Sequence, residues 1–253
     1  MDLNRWENKV ALVTGANSGI GAAITQRMLN LNLNTIAIDL NIDHLMGLKD
    51  QMDGKAQRLY PMQANLCNEE EIQRIFQWAE ETIGGIDILI NNAGVSGQKS
   101  LLEGSAEEWR HILDVNVVAL SVCTREAVKS MERRNVTDGH IIHLSSNVAH
   151  LVPRLPALHF YSASKHAVRA LTEGLRQELR NINSKIKITS ISPGLVKSQI
   201  FKSSLGDKFD KSLYESHPSL QADDIANTIE FILSSPSHVQ LHDIIIKPQG
   251  SDG

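Results

Sequence analysis

Cysteine occurs only twice in 253 residues, at Cys67 and Cys123, far apart and in no C-x-x-C spacing. That scarcity excludes a disulfide framework and a thiolate zinc site, and both thiols are expected to be reduced and mostly buried. Long apolar runs are missing as well: nothing approaches the ~20 residues that cross a bilayer. The opening "MDLNRWENKVALV" lacks the charged-then-apolar layout of a signal peptide, so the expected location is the cytoplasm, and the N-x-T acceptor at Asn135 has no consequence there. Positive charge is not in excess, since 25 Lys and Arg face 29 Asp and Glu for a formal charge of -4. A nucleic-acid partner is therefore not expected, nor a membrane, and small-molecule chemistry is the favoured class. Internal repeats and low-complexity segments are absent too.

What the chain does have is a hydrophobic fraction of 42%, enough for a sizeable core in one domain over residues 1–253. Apolar β-branched runs alternate with stretches of helical period, the pattern of a parallel sheet covered on both faces. Strands are expected at 9–14, 34–39, 57–62, 86–91, 140–145, 185–192 and 242–248. Helices are expected near 19–30, 42–52, 68–82, 107–134, 160–181 and 222–234. The fold class is α/β: a Rossmann-type, doubly wound, seven-stranded parallel sheet. One long irregular connection, 193–220, reads as a lid or binding loop; a disordered surface insertion is the alternative, against which Phe201, Phe209 and Tyr214 offer apolar anchors.

The first strand runs directly into "TGANSGIG". Gly15 and Gly19 permit a tight turn and Gly21 a close approach, so a pyrophosphate can rest against the positive end of the following helix. Asn17, Ser18 and Ile20 complete that cradle. Asp39 ends the second strand, where a carboxylate accepts from ribose hydroxyls and repels a 2′-phosphate; Leu40 beside it offers such a phosphate no cation. An ordinary helix-capping aspartate is the alternative. The implied cofactor is NAD. Asn65 and Leu66, after the third strand, are expected to face the adenine. Asn91, Ala93 and Gly94 of "NNAG" are expected to let the cofactor pass close to the backbone, although a plain turn would read the same way.

"YSASK" places Tyr161 and Lys165 four apart, on one helical face. Alone it is a pair that chance supplies. Together with "TGANSGIG", "NNAG", "DVNVVAL", "HLSS" and "SPGLVKS", in this order on one βα scaffold, it resembles the short-chain dehydrogenase/reductase family over essentially the whole chain. Within it, "NRWENKVALVTG" and "FYSASKHAVRALTEGLRQELR" look most like an animal group that includes farnesol dehydrogenase-like and terpenol dehydrogenases of insects. The resemblance implies Asn116, Ser146, Tyr161 and Lys165 as catalytic residues, and Pro193, Gly194, Val196 and Ser198 around the nicotinamide. It implies that Lys165 also holds the nicotinamide ribose, and that Asn116 anchors a water leading from that lysine to solvent. It also implies a homodimer or homotetramer, in which the helices near 107–134 and 160–181 pair with their copies. Ile112, Val115, Val118 and Val122 suit that pairing or simple burial. The sequence departs from the pattern at Asn65, where an aspartate is usual, and in a longer spacing from Ser146 to Tyr161.

A free phenol titrates at about 10, so Tyr161 needs help as a base, and the expectation is that Lys165 and an oxidised nicotinamide together lower its pKa. Strand alternation sends Ser145 and Ser146 to opposite sides, and Ser146 is the one expected to face the tyrosine and hold the substrate oxygen. His140 and His143 should lie on opposite strand faces, so no metal is expected. His150, His159 and Arg154 flank the site without an assigned role. Leu151, Val152, Pro153, Leu155, Pro156 and Leu158 would wall an apolar pocket. The expected substrate is an apolar alcohol or ketone, a terpenoid alcohol before a steroid; a silent cofactor-binding protein is the competing class.

Overall fold

The computed structural model describes residues 3–51 and 54–251. Seven strands, β1 (Val10–Thr14), β2 (Asn34–Asp39), β3 (Leu59–Gln63), β4 (Ile88–Asn91), β5 (His140–Leu144), β6 (Lys187–Pro193) and β7 (Asp243–Ile246), form one sheet. All pairings are parallel, in the order β3-β2-β1-β4-β5-β6-β7. The order reverses between β1 and β4, and a crevice opens at the carboxyl ends of strands at such a point.

Helices α1 (Gly19–Asn30), α2 (Asp43–Gln51), α3 (Glu69–Ile83), α4 (Ala106–Leu113), α5 (Leu120–Arg133), α6 (His159–Asn181), α7 (Ile200–Leu205), α8 (Asp207–Ser216) and α9 (Ala222–Ser234) complete the fold. Met52, the last residue of the expected second helix, and the ends of the 1–253 span lie outside the described residues. Strand alternation divides the core in two. Ala11 and Val13 of β1 join α1, α2 and α9 through Ile24, Met28, Leu45 and Ile229, while Val10 and Leu12 join α3, α5 and α6 through Phe76, Met131 and Leu179. Each sheet face is thus sealed by its own helical layer.

Side-chain chemistry sets the helix ends. Asn68 Oδ1 accepts from Glu70 N–H at 3.0 Å at the start of α3, and Gly84 ends that helix in the left-handed region at φ 80°. Ser105 caps α4 by accepting from Glu108 N–H at 3.1 Å.

Three expectations change. The stretch read as one helix over 107–134 is interrupted by a π-helical segment, Asp114–Ala119, which carries Asn116. Such turns widen the helix by one residue and re-aim a side chain, and here the buried Asn116 points back at the Gly94–Val95 chain. The stretch 193–220 is not irregular either: it holds α7 and α8, hinged at Gly206 (φ 84°), with Phe201 and Phe209 rings 6.5 Å apart. Cys123 is buried as expected, whereas Cys67 is exposed, because it sits in the open turn after β3. Among the described residues no helix is long and apolar enough to cross a membrane, and no three or more His, Cys, Asp or Glu side chains are grouped to hold a metal.

Candidate active site

The crevice is a cleft of about 1340 Å³ running from Asp39 and Leu66 at one end to Tyr161 and Phe201 at the other. At its first end the glycine turn is locally forced. Gly15 and Gly19 have φ of 63° and 50°, and a Cβ on Gly21 would lie 1.9 Å from the Gly15 carbonyl oxygen. Ser18 precedes α1 in extended conformation with no side-chain cap, so the first N–H groups of α1 keep their positive end open to the cleft. Asp39 reaches the turn directly: its Oδ2 accepts from Asn17 N–H at 2.9 Å and its Oδ1 from Asn41 N–H at 3.4 Å. Leu40 is 64% exposed at the cleft edge.

Several expected residues line this half of the cleft: Gly15, Ser18, Gly19, Ile20, Gly21, Asp39, Leu40, Asn65, Leu66, Ala93 and Gly94. Asn17 and Asn91 do not. The Asn17 side chain accepts from Leu45 N–H (3.1 Å) and donates to Asn41 (3.3 Å), so it ties the turn to α2. Asn91, the last residue of β4, alternates inward and donates to Thr124 Oγ1 of α5 at 2.9 Å. Its neighbour Asn92, which sequence reasoning passed over, faces the turn instead. The Asn92 amide donates to the Thr14 and Gly15 carbonyls at 3.0 and 2.9 Å, while Thr14 Oγ1 accepts from the Asn92 and Ala93 N–H groups at 3.0 Å each. The doubled asparagine was the available signal; only strand alternation tells the two apart. Asn65 lines the far end, but its Oδ1 is engaged by Cys67 N–H at 3.0 Å.

The other half is built around α6. Tyr161 and Lys165 are both buried, with Lys165 Nζ 5.7 Å from the Tyr161 ring centroid. Lys165 Nζ donates to the Leu144 carbonyl at 2.8 Å. Asn116 Oδ1 accepts from Val95 N–H at 2.8 Å, and its amide donates to Val95 O (2.9 Å) and Ser164 Oγ (3.0 Å). Both amide hydrogens are thereby used within the protein, and a water could be held only at its oxygen. A Cβ on Gly94 would lie 3.3 Å from Asn116 Oδ1 and 3.7 Å from Lys165 Nζ, so these two groups converge over the glycine. Ser164, inside "YSASK", is a supporting residue that the motif contains and the reading missed.

Ser146 lies close enough to Tyr161 to pull on its phenol, although its Oγ donates to Asn147 Oδ1 and accepts from Val148 N–H, both at 3.3 Å, while the buried Ser145 Oγ turns to the Lys165 carbonyl at 3.5 Å. Burial pushes the Tyr161 phenol up to about 12, against a smaller downward pull from Ser146, and burial alone brings Lys165 down to about 8. The protein's own residues do not lower the Tyr161 phenol: burial dominates, and the Lys165 ammonium is turned to the Leu144 carbonyl.

Apolar groups enclose the phenol. Val148 and Leu158 pack with Tyr161, flanked by Leu151, Leu155, Ile200 and Phe201, so α7 closes the wall begun by the 151–158 segment. Pro156 is exposed and does not line the cleft; Arg154, also exposed, does. Pro193, Gly194, Val196 and Ser198 line the cleft, and Ser198 lies across from the glycine turn, 3.1 Å from where a Cβ on Gly19 would sit. His150 bonds Ser192 (3.0 Å) and His159 the Pro153 carbonyl (3.1 Å), outside the lining. His140 and His143 are buried, neutral and apart, bonded to Thr189 (2.9 Å) and to Thr124 and Thr172 (3.1 and 2.8 Å).

A glycine-cradled cleft leading to a tyrosine, serine and lysine defines a dinucleotide-dependent oxidoreductase, and the chain belongs to the short chain dehydrogenase family, whose model matches residues 9–208. It is 43% identical over 251 residues to "Dehydrogenase/reductase SDR family member 11" of Gallus gallus, covering 97% of this chain and 98% of the relative. It is 40% identical over 250 residues to a farnesol dehydrogenase of Aedes aegypti, covering 98% and 99%. In structure it is similar to the closed form of a serine dehydrogenase complexed with NADP+, with TM-score 0.85 and 28% identity over 94% of each chain.

Proposed function

We propose that this oxidoreductase uses NAD(H) and interconverts an apolar alcohol, most favourably a terpenoid alcohol, with its ketone or aldehyde. The observation that carries the reading is the buried phenol of Tyr161, beside Ser146 and walled by Val148, Leu151, Leu155, Leu158, Ile200 and Phe201. Such a wall desolvates hydrocarbon and offers a sugar or hydroxy acid few partners. The similarity to a farnesol dehydrogenase supports the terpenoid class.

The residues fit a nicotinamide dinucleotide: a side chain at Gly21 would collide with the Gly15 carbonyl and break the glycine turn, and one at Gly94 would crowd Asn116 Oδ1 beside Lys165. When bound, the cofactor gives or takes the hydride. The protein's part is proton handling. Ser146 holds the substrate oxygen, and Tyr161, a neutral phenol at ordinary pH, donates its proton to that oxygen in the reducing direction. In the oxidising direction it must first lose that proton, against the burial that holds it, and the positive charges of Lys165 and of oxidised nicotinamide would together favour the phenolate. Lys165 also stands beside Gly94 to reach the nicotinamide ribose, and Asn116 holds the Gly94–Val95 edge against it. Asp39 accepts from the adenosine ribose, which favours NAD.

The working form is a homodimer or homotetramer built on α4–α5 and α6. Ile112 and Val122 are buried and Val115 lines the cleft, which leaves Val118 (51% exposed) and Leu171 (41% exposed) on the outer helical faces. A substrate panel with NAD tests the central reading. Terpenols should be oxidised and polar polyols ignored; turnover of polyols with none on terpenols would overturn it, and steroid turnover alone would move the substrate class.

A further inference from the structure

Tyr214 lies on α8 next to Leu213, which lines the cleft, yet Tyr214 itself does not line it. Its half-buried ring instead reaches the back of the chain that runs along the cleft from Val196 to Ser198. The Tyr214 hydroxyl donates to the Val196 carbonyl at 2.9 Å, with the Ser198 carbonyl farther off at 3.4 Å, and accepts from Ser198 N–H at 3.3 Å. The same chain is held from its other end by Leu220, through Lys197 N–H to Leu220 O (2.9 Å) and Leu220 N–H to Leu195 O (2.8 Å). Ser198 in turn lies against Gly19 across the cleft. One side-chain oxygen therefore joins α8, whose Leu213 lines the cleft, to Val196 and to Ser198, the residue that faces the glycine turn.

Given a nicotinamide dinucleotide in the cleft, as proposed above, we infer that Tyr214 is a positioning residue that ties α8 to the chain against which the nicotinamide half of the cofactor binds. A main-chain carbonyl and N–H free to rotate cannot present a fixed surface; tied through one hydroxyl they can, and a cofactor that packs against them then steadies α8 through the same hydroxyl. The adenine half, near Asp39 and Leu66, lies at the other end of the cleft and is not touched by this tie.

Tyr214→Phe removes only the hydroxyl and keeps the ring. The variant should bind NADH roughly three- to tenfold more weakly, the effect of losing one hydrogen-bonded tie, while AMP, which reaches only the adenine end, displaces NADH from both proteins with the same affinity. Trypsin gives a second readout, because Lys202, Lys208 and Lys211 are exposed on α7 and α8. NADH should slow cleavage there in the unmodified protein and fail to do so in Tyr214→Phe. Equal NADH affinity and equal protection in both would overturn the tie while leaving the cofactor reading intact, as would parallel loss of NADH and AMP affinity. An unmodified protein that binds no NADH would overturn the cofactor reading and the tie with it.

Discussion

The main-chain N–H of Asn17 donates to Asp39 Oδ2 at 2.9 Å, so the residue proposed to select the cofactor also fastens the glycine turn to the end of β2. This held carboxylate presents its remaining lone pairs to the cleft and would meet a 2′-phosphate as a like charge. NADH should therefore bind more tightly than NADPH. Asp39→Ala with Leu40→Arg should collapse or reverse that preference, each step contributing about 1 to 3 kcal/mol. Fluorescence titration with both reduced cofactors checks it, and tighter NADPH binding by the unmodified protein would show that Asp39 does not select.

Tyr161, pushed up to about 12 by burial, is protonated across the neutral range. Reduction of a ketone uses that proton directly, so its kcat/KM should be nearly flat from pH 6 to 8. Oxidation needs the phenolate, and its kcat/KM should climb with pH over the same range. Profiles in the two directions that coincide would place the proton on another group.

The central strands β1 and β4 were legible because both their faces are covered and their sequences are near-continuous apolar runs; β1, β2, β4 and β5 lie within a residue or two of their expected bounds. The motif residues were legible because turn chemistry and strand ends are local. What was hidden depends on tertiary contacts. The π-helical segment at Asn116 has the composition of any helix, and only the Val95 backbone calls for its geometry. Helices α7 and α8 are too short to announce themselves by periodicity and rest on Phe201, Phe209 and Tyr214. The choice between Asn91 and Asn92 is one step of strand alternation, and the upward shift of Tyr161 follows from burial, which no motif states.

His140 and His143 make stability sensitive to acid. Burial, reinforced by Lys187 and Arg5 for His140 and by Lys165 and Arg176 for His143, brings both down to about 3 in the fold. In the unfolded chain each titrates at about 6.5, so the unfolded state takes up protons first. Their contribution is complete above pH 6.5 and is lost as pH falls toward 3, by about 1.4 kcal/mol per pH unit for each. Urea unfolding at pH 7 and pH 5 should show the loss, and His140→Asn with His143→Asn should flatten it. An equal slope in the double variant would mean that neither histidine stays neutral.

Val118 and Leu171 predict the assembly. Light scattering at micromolar concentration should give a dimer or tetramer, and Val118→Asp with Leu171→Asp should shift it to monomer by placing charge in a symmetric contact. A monomeric unmodified protein would remove this part of the account.

The central claim is that Tyr161 moves the proton for hydride transfer between NAD(H) and an apolar alcohol. Its most direct test is the rate of NADH formation from NAD and a farnesol-like terpenol in the unmodified protein and in Tyr161→Phe, with NADH affinity measured alongside. The account predicts turnover in the first, a loss on the order of 10²- to 10⁴-fold in the second, and nearly equal NADH affinity in both. Undiminished turnover in Tyr161→Phe would contradict it.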